Sequence, residues 1–441
     1  MLSTLLWRLG LSTSGLYSRL NEIARFRGLA PEAQRRRIAA SLVEQARAFR
    51  NLADAPPEWA RLAEARDDDH VFALFSELPI LTKADFRGRF RPERILAQSP
   101  PALRRKLYVS TTGGSTGEPT PFCHDLAMVR AKAACNLDAR LRMGWRPGMP
   151  LLIVWGSERD IGKMMSRQGR LRAWAKNEHI VDGYELGDET IERFTRVLER
   201  HPRLAVYGFS SMLEFVARRF KALGRRVAPG HVVAAWNGGE LLLPQQVELF
   251  KEVFHVPILN LYGGRETGAM ASQVQENGPI EVIRPFVLIE VIGEDGRPCA
   301  PGETGRVVVT SLVCKASPFL RYEIGDSATV ERVGGAGVES LAAIGGRLAG
   351  IMTLANGRQI NALFWNHLFK DFFEVEQFQV AIRSSNRVEI RLKGAGMSPE
   401  RRARLDTILE SKLEGMDYAV SWVAAIQPTS QGKLVQVVRE E

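Results

Sequence analysis

The chain has 441 residues, 45% of them hydrophobic and 25% charged, which indicates two or three soluble globular domains and excludes an intrinsically disordered chain. Its net charge of +10 suits polyanionic ligands such as nucleotides or coenzyme A, and would equally suit nucleic acid or an anionic membrane surface. Because the excess is mostly scattered arginine, it indicates a solvated surface, and no specific nucleic-acid binding is expected.

The four cysteines show no CxxC spacing, so neither a zinc site nor a disulfide framework is expected, and reduced thiols in the cytoplasm are the default. No run approaches about 18 apolar residues, so no integral membrane contact is expected. The first ten residues are too short and too interrupted by charge for a secretion signal. They favour a helix that packs on its own domain over one at a membrane interface.

The first half of the chain predicts helices followed by an α/β region. Residues 15–65 carry apolar positions at helical spacing, and Thr82 followed three residues later by Asp85 predicts a helix N-cap. Later, helical patterns alternate with short apolar runs, which predicts a largely parallel sheet whose ligands lie beyond the carboxyl ends of the strands. Strands are predicted near 150–155, 179–181, 204–208, 231–237 and 256–264, and helices near 125–143, 160–178, 188–200, 212–223 (capped by Ser211) and 244–254.

The second half predicts a small β-rich subdomain and then a small α+β domain. Gly, Pro and Asp turns separate several short strand patterns after residue 280, and residues 345–350 are typical of a linker. Strands are predicted near 280–283, 287–292, 305–311, 328–333, 376–382, 387–393 and 419–426, with helices near 361–371 and 398–414 and a final loop at 428–434.

One loop, between a β-prone run at 107–109 and a helix-prone segment that begins near Asp125, concentrates glycines and hydroxyls. Such a loop exposes backbone N–H groups, and a strand, this loop and a helix in sequence predict a polyphosphate cradle. On composition alone, an ordinary flexible loop remains the alternative. It is not a Walker loop, because Gly117 is followed by Glu118 and Pro119. The candidate phosphate-binding residues are Ser110, Thr111, Thr112, Gly113, Gly114, Ser115, Thr116 and Gly117.

Five further stretches follow this loop: residues 237–240 (Asn-Gly-Gly-Glu), 261–266 (Leu-Tyr-Gly-Gly-Arg-Glu), 321–326 (Arg-Tyr-Glu-Ile-Gly-Asp) and the pairs Gly346-Arg347 and Gly432-Lys433. Alone, each is typical of a turn or a solvated lysine. Together with the loop they resemble, in order and spacing, the motifs of the adenylate-forming enzymes.

The resemblance is closest to the phenylacetate–CoA ligase-like branch, including its capsule-biosynthesis (CapK-like) relatives. The segment Leu-Pro-Ile-Leu-Thr-Lys-Ala-Asp-Phe-Arg at 78–87, about thirty residues before the loop, is also typical of that branch. The zinc-binding cysteines and histidines of some members do not occur.

The resemblance implies a role for each motif residue. Glu266 would hold Mg²⁺ on ATP, which suits a carboxylate because Mg²⁺ prefers hard oxygen ligands. Asp326 would accept hydrogen bonds from both ribose hydroxyls, and Arg347 would reach the nucleotide. Lys433 would bridge the acyl carboxylate and the α-phosphate. The other residues of the expected nucleotide site are Asn237, Gly238, Gly239, Glu240, Tyr262, Gly263 and Arg265, with Glu240 equally interpretable as a salt-bridge partner.

Three positions depart from the family pattern. Arg265 and Ile324 stand where threonine is usual, and Ala349 or Gly350 stands where the hinge has an aspartate. An arginine could contact a phosphate directly, and a glycine can absorb a backbone rotation. These departures keep a non-catalytic nucleotide-binding protein as an alternative.

The expected protein is an α/β enzyme with a large domain at 1–347 and a small mobile lid at 348–441. Within the large domain we expect a helical start at 1–100, an α/β core at 101–279 and the β-rich part at 280–345. The expected reaction activates a carboxylic acid with MgATP as acyl-AMP, and the branch favours an aromatic acid and coenzyme A as acceptor. An amine or hydroxyl acceptor is the alternative. A homodimer in the cytoplasm is expected from the family.

Overall fold

The computed structural model describes residues 15–99, 101–104, 106–112, 120–155, 162, 164–183, 187–347, 352–353, 359–360, 365, 368–369, 372, 374–384, 387–413, 416–427 and 435–440. The helices in this part are Leu16–Arg27 (α1), Pro31–Phe49 (α2), Pro57–Ala63 (α3), Asp68–Glu77 (α4), Lys83–Arg89 (α5), Pro92–Gln98 (α6), Pro101–Arg104 (α7), Leu126–Arg142 (α8), Arg167–Lys176 (α9), Asp188–Arg200 (α10), Ser210–Ala222 (α11), Pro244–Phe254 (α12) and Pro399–Lys412 (α13). No helix in these ranges is long and apolar enough to cross a membrane.

The strands in the same part are Tyr108–Thr111 (β1), Pro121–His124 (β2), Leu151–Trp155 (β3), Glu178–Asp182 (β4), Leu204–Gly208 (β5), Val232–Asn237 (β6), Ile258–Leu259 (β7), Leu261–Gly264 (β8), Gly268–Gln273 (β9), Ile280–Val282 (β10), Val287–Ile292 (β11), Thr304–Ser311 (β12), Tyr322–Gly334 (β13), Gly337–Arg347 (β14), Met352–Thr353 (β15), Gln359–Ile360 (β16), Val375–Ser384 (β17), Arg387–Gly394 (β18), Asp417–Trp422 (β19) and Val437–Arg439 (β20).

The predicted parallel sheet is present. Five strands pair in the order β4-β3-β5-β6-β7, and every pairing is parallel. Some of their buried residues form a core with α10, α11 and α12, and the others belong to the large core that includes the N-terminal helices. Because parallel strands end at the same edge, the segments after β3, β5 and β6 are brought together there. The α/β fold class is therefore confirmed.

The antiparallel part is larger than expected. Seven strands pair in the order β11-β12-β13-β14-β10-β9-β8, so two strands from before residue 280 belong to it. The single strand predicted at 256–264 is divided: β7 joins the parallel sheet, and β8 joins the antiparallel one. The linker predicted at 345–350 is wrong at its start, because β14 continues to Arg347 and pairs with β13.

The loop region differs from the predicted strand–loop–helix order. β1 and β2 form an antiparallel hairpin, with Thr111 opposite Pro121. Helix α8 begins only after β2, where the Asp125 side chain accepts a hydrogen bond from the Met128 N–H and caps the helix. The loop at 113–119 therefore joins two strands, and the helix N-terminus that we predicted to complete a phosphate cradle does not follow it directly.

The C-terminal part has its own sheet and its own core. Its four strands pair in the order β19-β18-β17-β20, and buried side chains between Trp365 and Val437 form a separate apolar cluster with helix α13. The predicted helix at 361–371 lies mostly outside the described residues, as does the loop at 428–434.

One buried arginine attaches the N-terminal helices to the antiparallel sheet. The Arg321 guanidinium donates to the carbonyls of Ser76 and Leu78, at 2.7 Å each, and forms an ion pair with Glu290 at 3.0 Å. Its backbone φ of +47° is unfavourable for a non-glycine residue, so these contacts must hold it. Next to it, the Leu81 N–H donates to the Arg321 carbonyl, and the Leu81 carbonyl accepts from Glu323. Residues 78–81 thereby run along β13.

Arg321→Met should lower the free energy of unfolding by about 3–5 kcal/mol, because it leaves a buried carboxylate and two carbonyls without their donor. Burial already raises the pKa of Glu290, and Arg321 opposes this shift. Urea unfolding would measure the loss. The matched control is Arg332→Met, since Arg332 pairs with Glu339 on the surface of the same sheet. The control should cost less than about 1 kcal/mol, and equal losses in the two variants would contradict the assignment.

Candidate active site

Two of the predicted motifs meet through a hydrogen bond. The Tyr262 hydroxyl donates to Asp326 Oδ2 at 2.9 Å, although the two residues lie far apart in sequence. In the β13–β14 pairing Asp326 is directly opposite Arg347, so the backbone of a third predicted site residue adjoins them. Next to Tyr262, Gly263 permits the close pairing of β8 with β9, because a β-carbon there would lie 2.2 Å from the Gly268 carbonyl oxygen.

Glu266 is buried beside these residues. Its carboxylate lies 3.5 Å from the Tyr322 hydroxyl on one side. Its other oxygen approaches Gly264, where a β-carbon would lie 3.0 Å away, and the Ile324 side chain approaches the same glycine equally closely. Ile324, which stands where threonine is usual, therefore packs against the backbone of the motif at 261–266.

Two basic side chains, His124 and Lys132, hold the backbone around Glu266. His124 Nε2 lies 2.6 Å from the Glu266 carbonyl oxygen, and the Lys132 ammonium donates to the Arg265 carbonyl. Burial and the neighbouring Lys132 lower the pKa of His124 to about 4. The imidazole is therefore neutral at pH 7, and its Nε2 must carry the donated proton, since a carbonyl only accepts.

Burial also lowers the pKa of Lys132 to about 8, while the carboxylate of Glu266 opposes that shift. This ammonium is close enough to Glu266 to interact with it electrostatically. Neither His124 nor Lys132 was identified from the sequence. No local pattern marks them, because their partners lie more than a hundred residues away.

The surroundings of Glu266 fit a magnesium ion that is carried by a nucleotide. Mg²⁺ usually takes one or two carboxylates from protein and completes its shell with water and phosphate oxygens. Glu266 offers one carboxylate, and the buried Thr267 hydroxyl next to it has no hydrogen-bond partner among the described residues. In the same part of the chain no group of three or more His, Cys, Asp or Glu residues is arranged as a metal site of its own.

The base of the phosphate loop is fixed, although Gly113, Gly114, Ser115, Thr116 and Gly117 lie outside the described residues. The Thr112 N–H donates to the Thr120 carbonyl at 2.9 Å, and the Thr120 N–H donates to the Thr112 hydroxyl at 3.0 Å. Arg87 donates to the Thr120 hydroxyl at 3.1 Å. Ser110 and Thr111 belong to β1. The Arg87 guanidinium therefore lies at the base of the loop.

Helix α5 supplies a second cation to the site. Thr82 and Asp85 form the predicted capping box at its start, which confirms that prediction. A β-carbon placed on Gly325, next to Asp326, would lie 2.9 Å from Lys83 Nζ. Lys83 and Arg87 are four residues apart and thus share one helix face. The sequence predicted the cap of this helix but not its two basic residues as part of the site. The spacing of Lys83 and Arg87 is the local signal that marks them.

The turn at 237–240 is held by its own side chains. The Asn237 amide donates to the Glu240 carbonyl at 2.8 Å, and its oxygen accepts from the Leu261 N–H at 3.3 Å. Gly239 has φ +78°, and a β-carbon on Gly238 would meet the Tyr207 hydroxyl at 2.6 Å. These residues shape the edge of the parallel sheet, and their predicted contact with a nucleotide stays a prediction.

Glu240 caps a helix. Its carboxylate accepts a hydrogen bond from the Ser211 N–H at 2.9 Å, in the first turn of α11. The prediction that Ser211 itself caps this helix is wrong: the helix begins at Ser210, and the cap comes from a different strand end. Of the two interpretations of Glu240, the structure favours the intramolecular partner.

Aromatic side chains cluster at the same edge of the sheet. Tyr207 stacks on Trp236 with 5.8 Å between ring centroids and lies 5.2 Å from Trp155, which in turn contacts Phe209 at 4.1 Å. These rings come from the ends of β3, β5 and β6, beside the turn at 237–240. Trp155 and Tyr207 are partly exposed and give the edge an apolar wall, and the fully buried Phe209 and Trp236 pack behind them.

Some of the predicted residues lie outside the part of the chain that the structure describes. Lys433, Ala349 and Gly350 lie outside the described residues, as does the side chain of Arg347. The described contacts join Tyr262 to Asp326, which is opposite the backbone at Arg347. Glu266 contacts Tyr322 and His124, the last residue of the strand that follows the loop.

Comparison with known proteins gives the fold. No family model matches the chain. Among solved structures, 2-hydroxyisobutyryl-CoA ligase in the postadenylation state matches with a TM-score of 0.68 at 18% identity, covering 93% of this chain and 90% of that one. The chain has the adenylate-forming ligase fold. The same fold is found in the amide bond synthetase McbA from Marinactinospora thermotolerans, with a TM-score of 0.52 at 19% identity over 71% of this chain and 65% of that one.

Part of the chain is also similar in sequence to a curated protein. Protein CapK of Staphylococcus aureus is 23% identical over 264 residues, or 59% of this chain. The match spans 55% of CapK, about half its length. An open conformation of 2-hydroxyisobutyryl-CoA ligase with CoA gives a lower TM-score, 0.57 at 17% identity, over 93% of each chain.

His124→Gln should reduce the acid sensitivity of the protein. Between pH 6.5 and 4 the unfolded chain binds a proton at His124 that the folded protein excludes, so stability falls as pH falls through this window. The contribution is about 2–3 kcal/mol. Chemical unfolding at a series of pH values would measure it. Burial lowers the pKa of His179 to about 4 as well, so His179→Gln should remove a similar share. An acid limb in His124→Gln that is parallel to the wild type would contradict this.

Proposed function

We propose that this protein activates a carboxylic acid with MgATP, forming acyl-AMP and pyrophosphate, and then transfers the acyl group to an acceptor. The observation that carries the proposal is the hydrogen bond between Tyr262 and Asp326, with the Arg347 backbone directly opposite. Three motifs that suit a nucleotide by residue type thereby occupy one place, next to a buried carboxylate at Glu266.

In this proposal Asp326 receives the ribose hydroxyls, because a carboxylate presents two acceptor oxygens. The loop from Ser110 to Gly117 holds the phosphates, and Arg87 at its base offsets their charge. Glu266 holds Mg²⁺, which neutralises phosphate charge when bound. Lys433 approaches the reacting carboxylate and α-phosphate, where an ammonium stabilises the charge that develops between them.

The aromatic wall supports an apolar or aromatic acid. Trp155, Tyr207, Phe209 and Trp236 stand at the carboxyl edge of the parallel sheet, where α/β proteins bind ligands. Of these rings, the partly exposed Trp155 and Tyr207 present apolar surface. The nearby carboxylate of Glu240 is already engaged with α11. We propose coenzyme A as the acceptor; the structure of 2-hydroxyisobutyryl-CoA ligase that contains CoA supports this choice. The amide bond synthetase of the same fold supports an amine as the alternative.

We also propose the boundary between the two domains near residue 348. The separate apolar cluster of the C-terminal part supports it.

Two states of 2-hydroxyisobutyryl-CoA ligase match this chain over equal coverage of it. The postadenylation state gives a TM-score of 0.68, and the open conformation gives 0.57. This supports a lid that is placed for the first half of the reaction. A homodimer and a cytoplasmic location stay predictions.

Acid-dependent exchange of pyrophosphate into ATP should be measured with Mg²⁺ and a panel of aromatic and fatty acids. We expect exchange with at least one acid, and a loss of about 100- to 1,000-fold in Lys433→Ala, because the charge on the reacting groups loses its partner. Lys412→Ala, an exposed lysine of the same domain, is the control and should keep wild-type exchange.

Asp326→Asn should mainly raise the KM for ATP, since it weakens ribose binding, whereas Lys433→Ala should mainly lower kcat. Tight ATP binding without exchange for any acid would contradict the enzyme and favour the non-catalytic nucleotide-binding alternative. Once an acid is found, adding coenzyme A or a panel of amines and following thioester or amide formation identifies the acceptor.

A further inference from the structure

Helix α9 exposes large apolar side chains that the core does not use. Leu171 is 65% exposed and Trp174 63% exposed, and Met165, just before the helix, is 40% exposed. The helix is nonetheless well formed: the Ser166 side chain caps it by accepting from the Gly169 N–H at 3.1 Å. Ala173 is the buried residue of this helix.

Trp174 contrasts with four other tryptophans of the chain. Trp59, Trp145, Trp236 and Trp365 are fully buried in two of the apolar cores. Exposing most of an indole and a leucine to water forgoes the free energy that their burial would supply, about 25 cal/mol for each Å² of apolar surface. A surface that retains both of them indicates a contact partner that the described residues do not provide.

The exposed residues form a continuous stripe together with two arginines. Arg167, Arg170, Leu171 and Trp174 follow the spacing i, i+3, i+4 and i+7, which places them on one face of a helix. We call these four residues the outer stripe. The buried Ala173 lies on another face, so the outer stripe points away from the protein.

The charge of this helix has one sign. Between Met164 and Asn177 the sequence has four basic residues, Arg167, Arg170, Arg172 and Lys176, and no acidic residue. The partner must therefore tolerate or carry negative charge. A second copy of this chain that docked through the same face would bring two basic helices together, and like charges at close range oppose such pairing.

We infer that the outer stripe docks on an anionic lipid surface. Tryptophan and leucine on a short helix suit the boundary between head groups and acyl chains, and the flanking arginines suit anionic head groups. Apolar and basic residues are mixed on the one face that the outer stripe occupies, which fits the boundary of an anionic lipid layer. Since no described helix spans a membrane, the contact is peripheral.

The position of the helix relates this contact to the candidate site. α9 connects β3 to β4, the strand at the outer edge of the parallel sheet. β3 and β4 are parallel, so α9 must run in the opposite direction and begins on the side where β3 ends. That side carries the aromatic wall. A lipid surface bound there lies beside the entrance that an apolar acid would use.

The test is co-sedimentation of the full chain with vesicles of phosphatidylcholine alone and of phosphatidylcholine with 30 to 40% phosphatidylglycerol, roughly the anionic share that gives a strong surface potential. We expect binding to the anionic vesicles only, weakened by salt. Arg167→Gln with Arg170→Gln should weaken it about 30-fold. Leu171→Gln with Trp174→Gln should abolish it, with unchanged thermal unfolding and unchanged pyrophosphate exchange.

Matched controls separate this surface from general basicity. Arg226→Gln with Arg404→Gln removes the same charge from exposed sites elsewhere, and Trp422→Gln removes another tryptophan that is 36% exposed. Both controls should bind as the wild type does. Failure to bind anionic vesicles at low salt would overturn the proposal. So would equal loss in the controls, or an oligomer that dissociates in the Leu171→Gln, Trp174→Gln variant, which would identify a second copy as the partner. None of these results depends on whether the protein adenylates an acid.

Discussion

The guanidinium of Arg321 holds the N-terminal helices against the antiparallel sheet. It binds the carbonyl of Leu78 at the end of the N-terminal helices and the carboxylate of Glu290 in the antiparallel sheet. Because residues 78–81 then lie along β13, the helix that follows them starts beside the strand that carries Asp326. Lys83 reaches that strand for this reason alone. A segment with no chemistry of its own thus positions a cation next to the candidate ribose contact.

The candidate site lies where two sheets of different kinds meet. β7 is the last strand of the parallel sheet, and β8, which begins two residues after Leu259 ends it, is the first of the antiparallel sheet. Asn237 spans this change, since its amide bonds both the turn after β6 and the N–H of Leu261. The apolar wall that we propose for the acid belongs to one sheet, and the polar contacts that we propose for the nucleotide belong to the other. The proposed reaction, which joins an acid to a nucleotide, would require both at one boundary.

Local patterns were sufficient for much of the fold. Helices Asp188–Arg200 and Pro244–Phe254 were predicted with their observed bounds, because periodicity, end charges and a first-turn proline are local signals. β2 was missed because its short run gives no such pattern, and it is fixed by distant contacts: the Cys123 N–H donates to Ser317, and His124 bonds Glu266. The tyrosine, glutamate and aspartate of the site were found by type and order. The supporting cations were not, since their partners become neighbours only after folding.

The capping of α11 by Glu240 has an electrostatic consequence for this edge of the protein. The first turn of a helix carries the positive end of its dipole and is a ready site for an anion. Here the chain supplies that anion itself, so the helix terminus is already neutralised before any ligand arrives. A second carboxylate brought to this terminus would meet a negative charge. In the proposed reaction, attraction for the carboxylate of the acid would come from the ammonium and guanidinium groups on the nucleotide side, which would orient the acid with its apolar end toward the aromatic wall.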